Sequence, residues 1–290
     1  MLRPASSLAA FSIAEATRMG DAHLAVRDLG VSVAFYTERL GFELLGRDER
    51  AARLGVGGRA LVVLHGGAHR PRAPRTVGLY HVAIRVPSRA ALARSLARLV
   101  EMGTPLEGAA DHAVSEALYL ADPDGLGLEI YRDRPRAEWP DAASGPLMTA
   151  GELDLQALLG ERDDAPWNGL ERGTDVGHVH LTVPSLEPAE EFYAGLLGFE
   201  VRMRAGRSAT FLAAGGYHHH LALNTWSGVG APAAPEGSAG LRRLTIEVPD
   251  AAELARLRDR LATAGIESSG SDTELTTRDP FGLDVSLRIA

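Results

Sequence analysis

The sequence predicts an α+β protein assembled from four βαβββ modules that pair into two domains. Three observations carry that prediction: one unit recurs four times, alternating apolar strands flank helical patterns, and Gly or Asp-Pro turn signals recur at matching places. In the first module, about residues 19–66, "DAHLAVRDLGVSVAFYTERLGFELLGR" gives an alternating strand, a turn, an amphipathic helix bearing Phe-Tyr, and a new strand after Leu-Gly-Phe. The third module, about 175–225, repeats that order in "GHVHLTVPSLEPAEEFYAGLLGFEVRMR". Gly41 and Gly198 fit helix C-caps, and the Phe after each fits the apolar contact that accompanies such a cap.

The second and fourth modules, about 79–132 and 240–289, carry a different helix. "LYHVAIRVPSRAALARSLARLVEMG" and "LRRLTIEVPDAAELARLRDRLATAG" each read as strand, Pro turn and helix ending at Gly. Both run on to late strands joined by Asp-Pro-x-Gly turns. The chain thus divides into an N-terminal arm (1–18), modules one and two (19–134), a linker (135–174), and modules three and four (175–290). The arm reads as frayed or partly helical. The linker, rich in Pro, Gly and acid, reads as structured, with a short helix at Leu153–Leu159.

Composition narrows the function classes. The chain has 290 residues, is 45% hydrophobic and 23% charged, and carries a formal net charge of -8. No basic stripe is visible, which argues against nucleic acid as a partner. Cysteine is absent, so disulfides, thiolate metal sites and a Cys nucleophile are excluded together. No apolar run reaches the ~20 residues that span a bilayer. The expectation is a cytoplasmic protein without a membrane partner, and exposed sheet edges suit a homo-oligomer.

A βαβββ module covers one sheet face with its helix and leaves the other open. Alternation identifies the open-face residues. In module two Val82, Ile84 and Val86 point to the helix, leaving His81, Ala83 and Arg85 on the open side. In module three Val179, Leu181 and Val183 point inward, leaving His178 and His180. In the last strand of module two Leu128 and Ile130 face the helix, so Glu129 and Tyr131 face the open cup. His81 and His178 occupy the same register, whereas modules one and four have Asp21 and Arg243 there, and module four has Ser286 at the Glu129 register. One metal site of His81, Glu129 and His178, built between modules two and three, is the economical reading. Two imidazoles and one carboxylate on one face suit non-haem Fe(II), with Mn(II) tolerated and Zn(II) compatible with the same ligand types.

The fourfold pattern resembles the vicinal oxygen chelate superfamily, which includes glyoxalases, fosfomycin-resistance proteins and extradiol ring-cleaving dioxygenases. The resemblance covers nearly the whole chain apart from the arm and linker, and implies two glyoxalase/bleomycin-resistance-like domains. His112, Leu118, Tyr119, Asp122, Pro123, Gly125 and Glu129, at their spacing, resemble the extradiol dioxygenase signature, closest to the bacterial catechol 2,3-dioxygenase branch. Two features depart from it. Ala110 stands where the family has Gly, Asn, Thr, Ile or Val, and the signature lies in module two rather than in the last modules. If the site forms, modules two and three must pair, with one and four as an empty companion.

The resemblance implies an Fe(II)-dependent dioxygenase that inserts O2 into catechol or a substituted catechol, cleaving the ring beside the diol. It also implies that Tyr119 hydrogen-bonds the ligated catecholate oxygen, that His112 orients the substrate, and that a His from the partner module serves as acid–base group. Family spacing selects His219 from "GGYHHHLALNTW", whereas simple alternation would select His218 and His220. Trp226 is placed to line the ring pocket. His23, His65, His69 and His180 read as non-catalytic. The ordinary alternative for Glu129 is an ion pair with Arg132 or Arg134. Two other functions fit the same scaffold: a glyoxalase-type isomerase or lyase, which draws on a fourth protein ligand, and a metal-free binding or resistance protein.

Overall fold

The computed structural model describes residues 10–140, 147–163 and 165–290; the start of the arm and seven linker residues, 141–146 and 164, lie outside them. Module one comprises β1 (Arg18–Ala25), α1 (Leu29–Ala34), β2 (Glu43–Arg47), β3 (Ala51–Val56) and β4 (Arg59–His65). Module two comprises β5 (Gly78–Arg85), α2 (Arg89–Glu101), β6 (Gly108–Asp111), β7 (Ser115–Ala121) and β8 (Gly127–Asp133). The linker contributes α3 (Leu155–Leu159). Module three comprises β9 (Asp175–Thr182), α4 (Leu186–Glu190), β10 (Glu200–Ala205), β11 (Ala209–Ala213) and β12 (Leu221–Asn224). Module four comprises β13 (Gly240–Val248), α5 (Ala251–Thr263), β14 (Ser268–Gly270), β15 (Glu274–Arg278) and β16 (Asp284–Ile289). The fold class is the α+β class expected.

Among the described residues two eight-stranded sheets result. One runs β14-β15-β16-β13-β1-β4-β3-β2 and joins modules four and one. The other runs β10-β11-β12-β9-β5-β8-β7-β6 and joins modules three and two. Within module two, β5 and β8 are parallel, and the connection between them includes α2, as a parallel pair requires a long connection. Across the seam β5 and β9 are antiparallel, with bulges between Leu79 and His81 and between Ala83 and Ile84. Among the described residues no helix is long and apolar enough to cross a membrane.

Side-chain caps start the helices: Asp28, Ser88 and Asp250 accept from Val31, Ala91 and Glu253 backbone N–H groups. The Phe-Tyr helices differ from a simple amphipathic helix. Each opens as α-helix and widens to a π segment, Phe35–Arg39 and Glu191–Leu196. Gly41 and Gly198 follow with φ of +84° and +85°, the left-handed geometry a helix-terminating glycine supplies. Residues 10–17 of the arm form no helix. Phe11 instead lies under the guanidinium groups of Arg256 and Arg260, and Ile13 N–H donates to Gly198 O at 3.0 Å.

The Asp-Pro turns and the Phe-Tyr tyrosines explain one another. Asp122 Oδ1 accepts from Asp124 and Leu126 N–H, and Asp279 Oδ1 accepts from Phe281 and Leu283 N–H, all at 2.9 Å. The second carboxylate oxygen of each receives a buried phenol: Tyr36 on Asp122 at 3.4 Å, Tyr193 on Asp279 at 3.0 Å. Each bond ties one module's helix to the next module's final turn. Burial pushes the Asp122 carboxyl up to about 6, the cost of this tie. Tyr193→Phe is expected to cost roughly 1–3 kcal/mol, because it strips a donor from a buried acceptor. Tyr36→Phe should cost less, its bond being longer. Urea unfolding of the two variants checks the order.

Candidate metal centre and its cavity

The seam between the two middle modules creates the site. Ala83 of β5 pairs with Glu129 of β8 on one side and with His178 of β9 on the other. Its fully buried methyl leaves room above the sheet for the larger side chains to converge. His81, one pleat earlier on β5, completes the group. Glu129 Oε2 lies 3.0 Å from both His81 Nε2 and His178 Nε2, and the two nitrogens are 3.3 Å apart. All three side chains are buried.

Charge and geometry fit a divalent cation. Three donor atoms at these separations outline one face of an octahedron whose bonds are roughly 2.1 Å long. Burial holds His178 mainly neutral, lowering its pKa to about 4 against the opposing pull of Glu129. Burial would raise Glu129, yet the two imidazoles outweigh it and hold the carboxyl well below its ordinary range. Without a cation, two imidazole N–H groups would crowd a single carboxylate oxygen. Among the described residues this is the one cluster of three or more such donors able to hold a metal ion. The ordinary alternative for Glu129 is not realised: Arg132 and Arg134 bind Glu116.

The other cup of the fold is closed by ion pairs. Arg288 lies 3.6 Å from Asp21 and 3.1 Å from Glu247, and Ser286 donates to Glu274 at 2.5 Å. His23 Nδ1 and His65 Nε2 bond each other at 2.9 Å. Asp21 and Ser286, which stand at the ligand registers of that sheet, are thus engaged by Arg288 and Glu274.

A cavity of about 650 Å³ opens over the His-Glu-His group. His112, Tyr119, His219 and Trp226 all line it. His112 Nδ1 can only donate to the Thr149 carbonyl, 2.6 Å away, so its Nε2 accepts the Tyr119 hydroxyl proton at 2.7 Å. Burial and the nearby Glu129 charge push the Tyr119 phenol upward, so it stays a donor. In the histidine tract, β12 begins only at Leu221 after a turn at Gly215 and Gly216, so strand alternation does not reach back to residues 218–220. His219 faces the cavity, with its ring centroid 4.0 Å from that of His178. His218 turns to Asp133, and His220 Nδ1 accepts from Ala214 N–H.

Several lining residues lie outside the site that the sequence predicts. His180, read from sequence as non-catalytic, lines the cavity and is bonded to Asn224 at 2.9 Å. Met148, Thr149 and Ala150 come from the linker, held by reciprocal backbone bonds between Asp111 and Gly151. Met203 and Phe211 supply apolar wall from module three, and Arg72 reaches the rim from the connection between modules one and two. His23, His65 and His69 stay outside this cavity.

Comparisons with known proteins agree with this architecture. The profile of the Glyoxalase/Bleomycin resistance protein/Dioxygenase superfamily matches residues 18–130 and 175–286. A catechol-2,3-dioxygenase of Bacillus subtilis (strain 168) is 42% identical over 274 residues, covering 93% of this chain and 96% of that relative. Among solved structures, a protein of Bacillus subtilis subsp. subtilis str. 168 provisionally described as a dioxygenase superposes with a TM-score of 0.64 at 16% identity, over 96% of this chain and 86% of that one. Glyoxalase I from Zea mays superposes with a TM-score of 0.58 at 19% identity, over 94% and 92%. The two structural likenesses speak for the fold, while the close relative and the profile speak for descent. The chain belongs to the Glyoxalase/Bleomycin resistance protein/Dioxygenase superfamily, among its dioxygenases.

Proposed function

We propose that the protein is an Fe(II)-dependent extradiol dioxygenase that inserts O2 into catechol or a substituted catechol and opens the ring beside the diol. The observation that carries this reading is the buried His81–Glu129–His178 face beneath a cavity large enough for a substituted aromatic ring, in a chain 42% identical to a catechol-2,3-dioxygenase. His81, His178 and Glu129 hold the ion, with Mn(II) an acceptable substitute. A bound ferrous ion supplies the Lewis acidity and one-electron chemistry that let a catecholate and O2 react.

The remaining tasks fall to side chains around the cavity. Tyr119 turns its single hydroxyl proton from His112 Nε2, 2.7 Å away, to a catecholate oxygen, and the released His112 Nε2 orients the substrate. His219, on the opposite wall beside His178, is the acid–base group. Phe211, Trp226 and Met203 exclude water and pack the ring. An isomerase of the glyoxalase type is less well served, because the convergent group among the described residues provides three protein ligands, without a fourth.

Purified and iron-loaded without oxygen, the protein is expected to yield a yellow ring-fission product from catechols on admission of air. Iron should bind at about one ion per chain. No absorbance change across a panel of catechols, with iron bound, would sink the ring-cleavage reading. A folded protein that takes up no iron would favour metal-free binding instead.

A further inference from the structure

We propose that Asp133 and His218 are positioning residues that hold the His219 ring in one tautomer, its unprotonated nitrogen directed to the cavity. The proposal rests on the assignment of His219 as acid–base group, and it adds two residues to which neither the signature nor the site spacing points. Three groups form a chain. Asp133 Oδ1 lies 2.9 Å from His218 Nε2, and His218 Nδ1 lies 2.7 Å from His219 Nδ1.

Donor bookkeeping allows one arrangement when both rings are neutral. A carboxylate only accepts, so His218 must carry its proton on Nε2. Its Nδ1 is then a lone pair, and the short contact to His219 requires the proton on His219 Nδ1. His219 Nε2 is left as the acceptor, the form a base needs. The opposite direction would place a cation on the fully buried His218 ring. Asp133 also stays ionised: burial would raise it, but His218 and Arg85 outweigh burial and lower it.

The surroundings keep the relay in register. Arg85 Nη1 donates to Asp133 Oδ2 at 3.0 Å, and the Tyr217 hydroxyl donates to the same oxygen at 2.9 Å. Tyr217 in turn accepts from Tyr131 at 2.8 Å. The His218 ring stacks against Tyr217, centroids 4.0 Å apart, and lies 5.3 Å from Trp139. Its position is thus set by rings as well as by hydrogen bonds. Such an arrangement of carboxylate, imidazole and working group follows the logic by which a carboxylate orients a catalytic histidine.

The test reads tautomers directly. Long-range proton–nitrogen spectra of the metal-free full chain, labelled with 15N-histidine at neutral pH, should show His219 protonated on Nδ1 and His218 on Nε2. In Asp133→Asn the new amide can donate to His218 Nε2, so both rings should reverse and His219 should carry its proton on Nε2. His218→Phe keeps ring volume but removes the acceptor, so His219 should become a mixture of tautomers. The iron-loaded Asp133→Asn enzyme should lose about 10²-fold or more in kcat with KM for catechol little changed. A wild-type His219 protonated on Nε2, or one that ignores both substitutions, overturns the relay. Wild-type spectra as expected in a protein that does not cleave catechols would uphold the relay and count against the ring-cleavage reading alone.

Discussion

Glu129→Ala is expected to leave a folded protein that no longer retains a divalent ion. Glu129 is the one anionic member of the group, and its Oε2 lies 3.0 Å from each imidazole nitrogen. Removing it takes away a ligand and the negative charge that offsets the cation in a buried setting. The loss of affinity should far exceed the ~10–100-fold that follows loss of an outer hydrogen-bonding partner. Metal analysis after anaerobic loading and desalting checks it: about one ion per chain before substitution and close to none after. Ser286→Ala, at the equivalent register of the other sheet, should leave metal content unchanged. Stoichiometric metal in the Glu129→Ala protein would remove the proposed ligand set.

The second large effect is expected at His219. His219→Ala should retain the ion, because none of the three converging donor atoms belongs to it. Turnover should nevertheless fall by ~10²–10⁴-fold, the usual contribution of a positioned proton-transfer group. Oxygen uptake with catechol, normalised to bound iron, measures the loss. Normal turnover would return the choice to other cavity residues, of which His180 is the nearest candidate by chemistry: it is buried, lines the same wall, and stacks edge-on to His81 at 5.0 Å.

Much of the site's ingredient list was legible beforehand, and for local reasons. Strand alternation put His81, His178 and Glu129 on open faces, and the three are found converged above the sheet. The spacing from His112 to Glu129 spans one antiparallel hairpin, in which Tyr119 pairs directly with Glu129, so a fixed count of residues maps to a fixed position. His180 shares the face of His178, yet its lack of a third matched partner in sequence concealed its place on the cavity wall. Among the histidines of residues 218–220 simple alternation selects His218 and His220, whereas His219 lines the cavity, because the segment before β12 is not strand. Thr149 escaped notice because its contact with His112 joins residues 37 apart through a segment with no periodic pattern. The Asp133–His218 contact, 85 residues apart, escaped for the same reason.

By itself the amino-acid sequence determined the four modules, the sidedness of their strands and the chemical types on offer at each open face. These follow from short-range rules: pleat alternation, helix capping and turn geometry act over a few residues and are written out along the chain. Only the tertiary structure decided that β5 and β9 meet edge to edge, with Ala83 opposite His178. It also decided that the linker seals one wall and that His219 rather than its neighbours turns inward. Open sheet edges of similar modules offer the same backbone donors and acceptors, so selection among them comes from the packing of whole faces, a long-range energy that no local pattern encodes.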